Sequence, residues 1–140
     1  MKGTNLQTEI VALCDYAMVS KENKLTIAGI FDELRTIKPP AVLARGFLVA
    51  TVSGTPETAY KLTVELQHDR RKNIIPPTNV DIYTSTNGKN NIILELVGVT
   101  FPEEGKYNFR VYNEDISIGS TQLLVIHVDK SQTSEVKRPN

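Results

Sequence analysis

Residues 59–68 alternate without a break. Tyr60, Leu62, Val64 and Leu66 fall on one side, and Lys61, Thr63, Glu65 and Gln67 on the other. Successive side chains of an extended chain point to opposite faces, so this segment buries one face and wets the other. Seven more strand-length runs rich in apolar residues lie at about 8–19, 24–34, 45–53, 79–85, 91–100, 106–113 and 117–128. No window shows the sustained three-and-four spacing of an amphipathic helix. Val, Ile and Thr make up 39 of the 140 residues, and their branched side chains fit a pleated sheet better than a helix. Eight such runs with short connections predict an all-β chain folded as a sandwich or barrel.

Turn residues set the order of the runs. Ser20-Lys21-Glu22-Asn23 reads as a turn that makes a hairpin of the first two. Pro39-Pro40 stops any ladder because neither residue donates a backbone N–H, and 41–44 reads as a short helical turn. The run 45–53 is apolar on both faces, which suits a central strand. Asn87-Gly88 predicts a type I′ turn, with both residues at positive φ and the sixth run paired back on the fifth. One domain spans 1–128. Residues 129–140 are polar, lack aromatics and read as a disordered tail.

One stretch carries a recognisable pattern. From Leu94 it runs Leu-x-Leu-x-x-Val, then Glu103-x-Gly105-x-Tyr107-x-Phe109. This resembles the E–F region of immunoglobulin-type sandwiches. The resemblance implies that Leu94, Leu96 and Val99 face the core and that Gly105 and Tyr107 form a structural corner, with the tyrosine hydroxyl bonded back to the preceding turn. Phe109 stands where such domains place a disulfide cysteine, and the chain has no tryptophan. The segments Cys14-Asp15-Tyr16-Ala17-x-Val19 and Lys24-Leu25-Thr26-Ile27-x-Gly29-Ile30-Phe31-Asp32 are similar to the opening of a bacterial family of small uncharacterised proteins. That resemblance implies bacterial origin and a single β domain, and supplies no catalytic residues.

The chemistry-bearing residues are sparse. A single cysteine excludes an internal disulfide and a Cys-based zinc site. Cys14 with His68 or His127 is the one thiol–imidazole option, and Cys14 in an apolar run reads more simply as a small core residue. Asp32-Glu33, Glu103-Glu104 and Glu114-Asp115 are adjacent pairs whose side chains diverge in an extended chain, at positions where solvated turns are expected. Asp69 and Asp81 are the one pair that a calcium site would draw together. Sixteen basic residues balance sixteen acidic ones, so no excess charge drives binding to phosphate backbones. The cluster Arg70-Arg71-Lys72 has no interleaved aromatics for base stacking and reads as a solvated loop. No apolar run approaches the ~18 residues of a membrane span. The short polar N-terminus and the absence of a sequon point to a cytoplasmic protein.

These observations predict an immunoglobulin-like two-sheet antiparallel sandwich of about eight strands, without cofactor or metal, acting through protein–protein contacts with a partner or a second copy. The candidate interface is Leu123, Val125 and His127 on the last strand. Both faces of that strand are largely apolar, and it lies near a sheet edge in an immunoglobulin-like order, where the N-terminal strand is one cover and a partner chain another. The alternative is an enzyme or small-ligand-binding sandwich with its site in the end loops near His68 and Asp32.

Overall fold

The computed structural model describes residues 4–68 and 74–128. Among them are nine strands and no helix: β1 (Gln7–Val19), β2 (Leu25–Phe31), β3 (Glu33–Thr36), β4 (Ala41–Ser53), β5 (Ala59–His68), β6 (Thr78–Tyr83), β7 (Lys89–Phe101), β8 (Gly105–Asn113) and β9 (Ile116–His127). They form two sheets, A in the order β2-β1-β4-β7 and B in the order β3-β9-β8-β5-β6. All pairings are antiparallel except β3 with β9. The inner faces enclose one core that includes Leu13, Leu48, Val52, Leu62, Leu66, Phe101, Tyr107, Phe109 and Leu123. Two face-packed sheets with β8 between β5 and β9 make an immunoglobulin-like sandwich.

Three expectations from the sequence need correction. The run 24–34 is two strands in different sheets: β2 extends sheet A, the chain crosses at Asp32, and β3 joins sheet B beside β9. The Asp32 carbonyl accepts from Leu124 N at 2.9 Å, so a distant strand fixes the crossing. Residues 41–44 are not a helical turn but the start of β4, with Ala41 opposite Phe101 and Leu43 opposite Val99. Finally, β6 and β7 do not form a hairpin. β6 pairs with β5 and β7 with β4, so the turn at 84–88 carries the chain from sheet B to sheet A. Only Gly88 of the Asn87-Gly88 pair has positive φ. Gly54 N donates to the Gly88 carbonyl at 2.7 Å, and the buried Thr84 hydroxyl donates to the Thr55 carbonyl at 2.6 Å.

Two glycines redirect sheet A. The β4–β7 ladder skips the Ala44/Gly98 pair, where Gly98 has φ +65°. Ala41, Leu43, Val99 and Phe101 face the core on one side of this point, and Leu48, Ala50, Ile92 and Leu96 on the other. The core-facing parity therefore switches from odd to even, as it does at a bulge-like distortion. A Cβ at position 98 would meet nothing within 4 Å, so only backbone strain opposes a side chain there. Gly98→Ala is expected to cost about 1–2 kcal/mol, read as a lowered urea midpoint with an unchanged m-value.

The second redirection bends a hairpin. The β1–β2 ladder skips Asp15/Gly29, and Gly29 has φ +70°. Up to that point Cys14 lies opposite Phe47 of β4. A straight continuation would carry Val19 towards Val42, about 30 Å along β4 from Thr51. Instead, Val19 and Asn23 border a groove with Asn91, and Asn91 faces Thr51. Ala17, Leu25 and Ile27 pack with Cys14, Phe47, Val49 and Ile93 in a second apolar cluster. The far half of the β1–β2 hairpin is thus a flap folded back over the outer face of sheet A. It explains why Val49 has no exposure although it lies outside the intersheet core.

Candidate functional site

The structure separates the residues named for an end-loop site. The His68 side chain is buried, with its ring 4.4 Å from that of Tyr107 and Nε2 3.0 Å from the Glu104 carbonyl. His68 lies opposite Tyr107, and Tyr107 opposite Leu123. Asp32 precedes Glu33, which pairs with Leu124. His68 and Asp32 are therefore three strand spacings apart, about 14 Å, too far to share one small site. The surroundings of His68 are those of a sandwich corner. The Tyr107 hydroxyl donates to the Glu103 carbonyl at 2.6 Å and accepts from Glu103 N at 3.1 Å. Gly105 has φ +123°, and a Cβ there would come within 3.0 Å of His68 Nε2.

Cys14 is likewise removed from both histidines. It sits in the outer cluster of sheet A, whereas His68 and His127 belong to sheet B. Burial pushes its thiol pKa up, a backbone hydrogen bond at Tyr16 partly offsets this, and the Asp15 charge adds to the rise. That environment suppresses the thiolate a nucleophile needs. The carboxylate pairs are spread over separate connections, with Glu33 opening β3. Glu33 pairs with Arg35 at 2.5 Å, and Glu104 Oε1 accepts from His127 N at 2.7 Å. Glu114 and Asp115 border a shallow groove of about 640 Å³ with Lys61, Asn79 and Asp81. Among the described residues no group of three or more His, Cys, Asp or Glu could hold a metal ion. Asp69 and the cluster Arg70, Arg71 and Lys72 lie outside the described residues.

The expected interface on the last strand is not a surface. Leu123 and Val125 are 0% and 2% exposed and belong to the intersheet core. His127 is exposed, and its ring bonds the Ile37 carbonyl. Where Leu123, Val125 and His127 lie, β9 is no open edge either, because β8 flanks it on one side and the four residues of β3 pair with Leu124 to His127 on the other. The two-sided apolarity of β9 was legible, but its cover is β3, with β1 adding one hydrogen bond from the Thr8 hydroxyl to the Ile118 carbonyl at 2.7 Å.

The exposed apolar surface lies instead on sheet A. β7 is thirteen residues long and pairs only with β4 among the described residues. Its charges are confined to Lys89 and Glu95. Glu95 meets Arg45 Nε at 2.7 Å, and the Arg45 guanidinium lies 5.5 Å from the Phe47 ring centroid. Val97 faces Arg45 across the ladder and is 67% exposed. A long strand with one row of unpaired backbone groups is a template for another strand.

Comparison with known proteins identifies the fold and a family. A model described as a family of unknown function, DUF6941, matches residues 9–126. No curated protein matches the chain in sequence. Among solved structures, the chain superposes on the Pseudomonas fluorescens alkylpurine DNA glycosylase AlkC with a TM-score of 0.52 and 10% identity, covering 88% of this chain and 31% of that one. A β-glucosidase from Listeria innocua gives 0.52 and 10% identity, with 90% and 16% covered. An immunoglobulin-like protein from Pseudomonas aeruginosa gives 0.44 and 13% identity, with 86% and 96% covered. The chain thus spans less than a third of the first two proteins. At these identities the likeness is one of fold alone.

Proposed function

The chain belongs to the DUF6941 family of unknown function, and we propose that it acts as a non-enzymatic interaction module through protein–protein contacts along the open edge of β7. One observation carries this reading: a thirteen-residue edge strand with Val97 exposed beside it. Backbone pairing would supply affinity there, and side-chain pockets on alternate positions the selectivity. The Arg45–Glu95 pair is exposed, contributes little to stability, and offers polar contacts at the rim.

Capture from the native host, with wild type and Val97→Lys side by side, tests the proposal. Val97 is exposed, so the variant should fold, while a lysine on an edge opposes strand addition. The expected result is a protein, a second copy of the chain included, that wild type retains and the variant loses. Equal recovery of every captured protein, or capture of none, would sink the proposal.

A further inference from the structure

A second surface lies at the start of β7, away from Val97, and calls for a ligand of different chemistry. The tip of the β1–β2 flap, the end of β6, the turn after it and the first residues of β7 border a groove of about 420 Å³, within the range of small-molecule sites. We infer that this groove binds a neutral saccharide of one or two pyranose rings, and the inference stands apart from the interaction role proposed above.

The lining gives the ligand class by exclusion. No carboxylate borders the groove, so a metal cation would meet only neutral amide and hydroxyl oxygens, with no charge to offset its dehydration. The one cation that borders it, Lys89, holds its Nζ 3.4 Å from both Glu9 carboxylate oxygens, so no unpaired charge awaits an anion. What remains is amides and one aromatic ring. Tyr83 is 63% exposed, and its flat apolar face with a polar tip suits the C–H face of a pyranose.

Hydrogen-bond valences point the same way. Among the described residues the amides of Asn23 and Asn91 and the Tyr83 hydroxyl have no hydrogen bond within the chain. Asn87 uses its Oδ1 to accept from Lys89 N at 3.2 Å and from the Ser85 hydroxyl, which leaves its NH₂ available. Asn90 does the reverse: its Nδ2 donates to the Tyr83 carbonyl at 2.8 Å, which leaves Oδ1. The amides of Asn23 and Asn91 each join a donor and an acceptor in one plane, and vicinal hydroxyls offer the matching pair. Asn87 and Asn90 are already fixed by these bonds, so a ligand would spend little entropy ordering them. Asn23 comes from the flap and Asn91 from the body, so a bound sugar would also pin the flap down.

Titration of ¹⁵N-labelled protein with cellobiose, maltose and N,N′-diacetylchitobiose, followed by amide NMR, tests this. At least one sugar should give saturable shifts at the side-chain NH₂ groups of Asn23, Asn87 and Asn91. Tyr83→Ala should weaken that binding by roughly tenfold, and Asn91→Ser should weaken it by a separate route. Both positions lie on the surface of strands, and an unchanged backbone spectrum outside the groove verifies each fold. The inference is overturned if none of the three sugars gives a saturable shift by millimolar titration. It is also overturned if the shifts survive Tyr83→Ala unchanged, or if sodium phosphate moves the same amides as strongly as the sugar does.

Discussion

Phe109→Ala should lower the unfolding free energy by about 3–5 kcal/mol, at the upper end for a single core truncation. Phe109 is 1% exposed in β8 and faces Leu66 on one side and Thr121 on the other. It follows Tyr107 by two residues, the spacing at which immunoglobulin domains place the second cysteine of their intersheet disulfide. A disulfide of that kind is worth about 2–4 kcal/mol, and a fully buried aromatic ring contributes comparably through apolar burial and packing. In this chain the ring joins the sheets without redox chemistry. Phe109→Leu keeps most of the volume and should cost under about 1.5 kcal/mol. Equilibrium urea unfolding decides the point. A loss below about 1.5 kcal/mol for the alanine variant would mean that the two sheets do not depend on this residue.

Val49→Asp should cost about 3 kcal/mol or more and release the flap while sparing the sandwich. Val49 has no exposure and sits with Phe47, Cys14 and Ala17 under the folded-back hairpin. A carboxylate there has no positive partner in the cluster and must either stay charged in an apolar site or drive the hairpin away. The flap is the cheaper element to displace, because it packs through only a few side chains, Ala17, Leu25 and Ile27 among them, and pivots at Gly29. Hydrogen exchange should therefore accelerate over 15–30 while β5, β8 and β9 stay protected. Cys14, whose thiol burial now suppresses, should become open to alkylation. Uniform acceleration across both sheets would show that the flap and the core unfold as one unit.

Much of this architecture could be read from side-chain pattern. The alternation of β5, the turn at 20–23 and the corner around Tyr107 depend on neighbouring residues, and the sequence states them directly. What it hid depends on distant partners. Nothing between Phe31 and Glu33 marks a change of sheet, because Asp32 is held by Leu124. The turn at 84–88 reads locally as a hairpin because Asn-Gly is a local turn signal, whereas the crossing between sheets is held by Gly54 and Thr55. Gly29 did carry a signal, since an isolated glycine in a strand suggests a bulge, but only packing on Phe47 and Val49 reveals the direction of the bend. The groove beside Tyr83 was invisible for the same reason, as its two walls meet only once the hairpin has folded back.

The parallel pairing of β3 with β9 has a consequence for how the chain reaches this state. Glu33 and Leu124 stand about ninety residues apart, so β3 is synthesised well before the strand it pairs with. Contacts of such long range carry a heavy loop-closure cost before any reward and slow folding. Until the final strand is synthesised, four residues of backbone wait unpaired at the side of an unfinished sheet. Their brevity limits what else they can recruit during that interval, and completion of the sandwich waits on synthesis of β9.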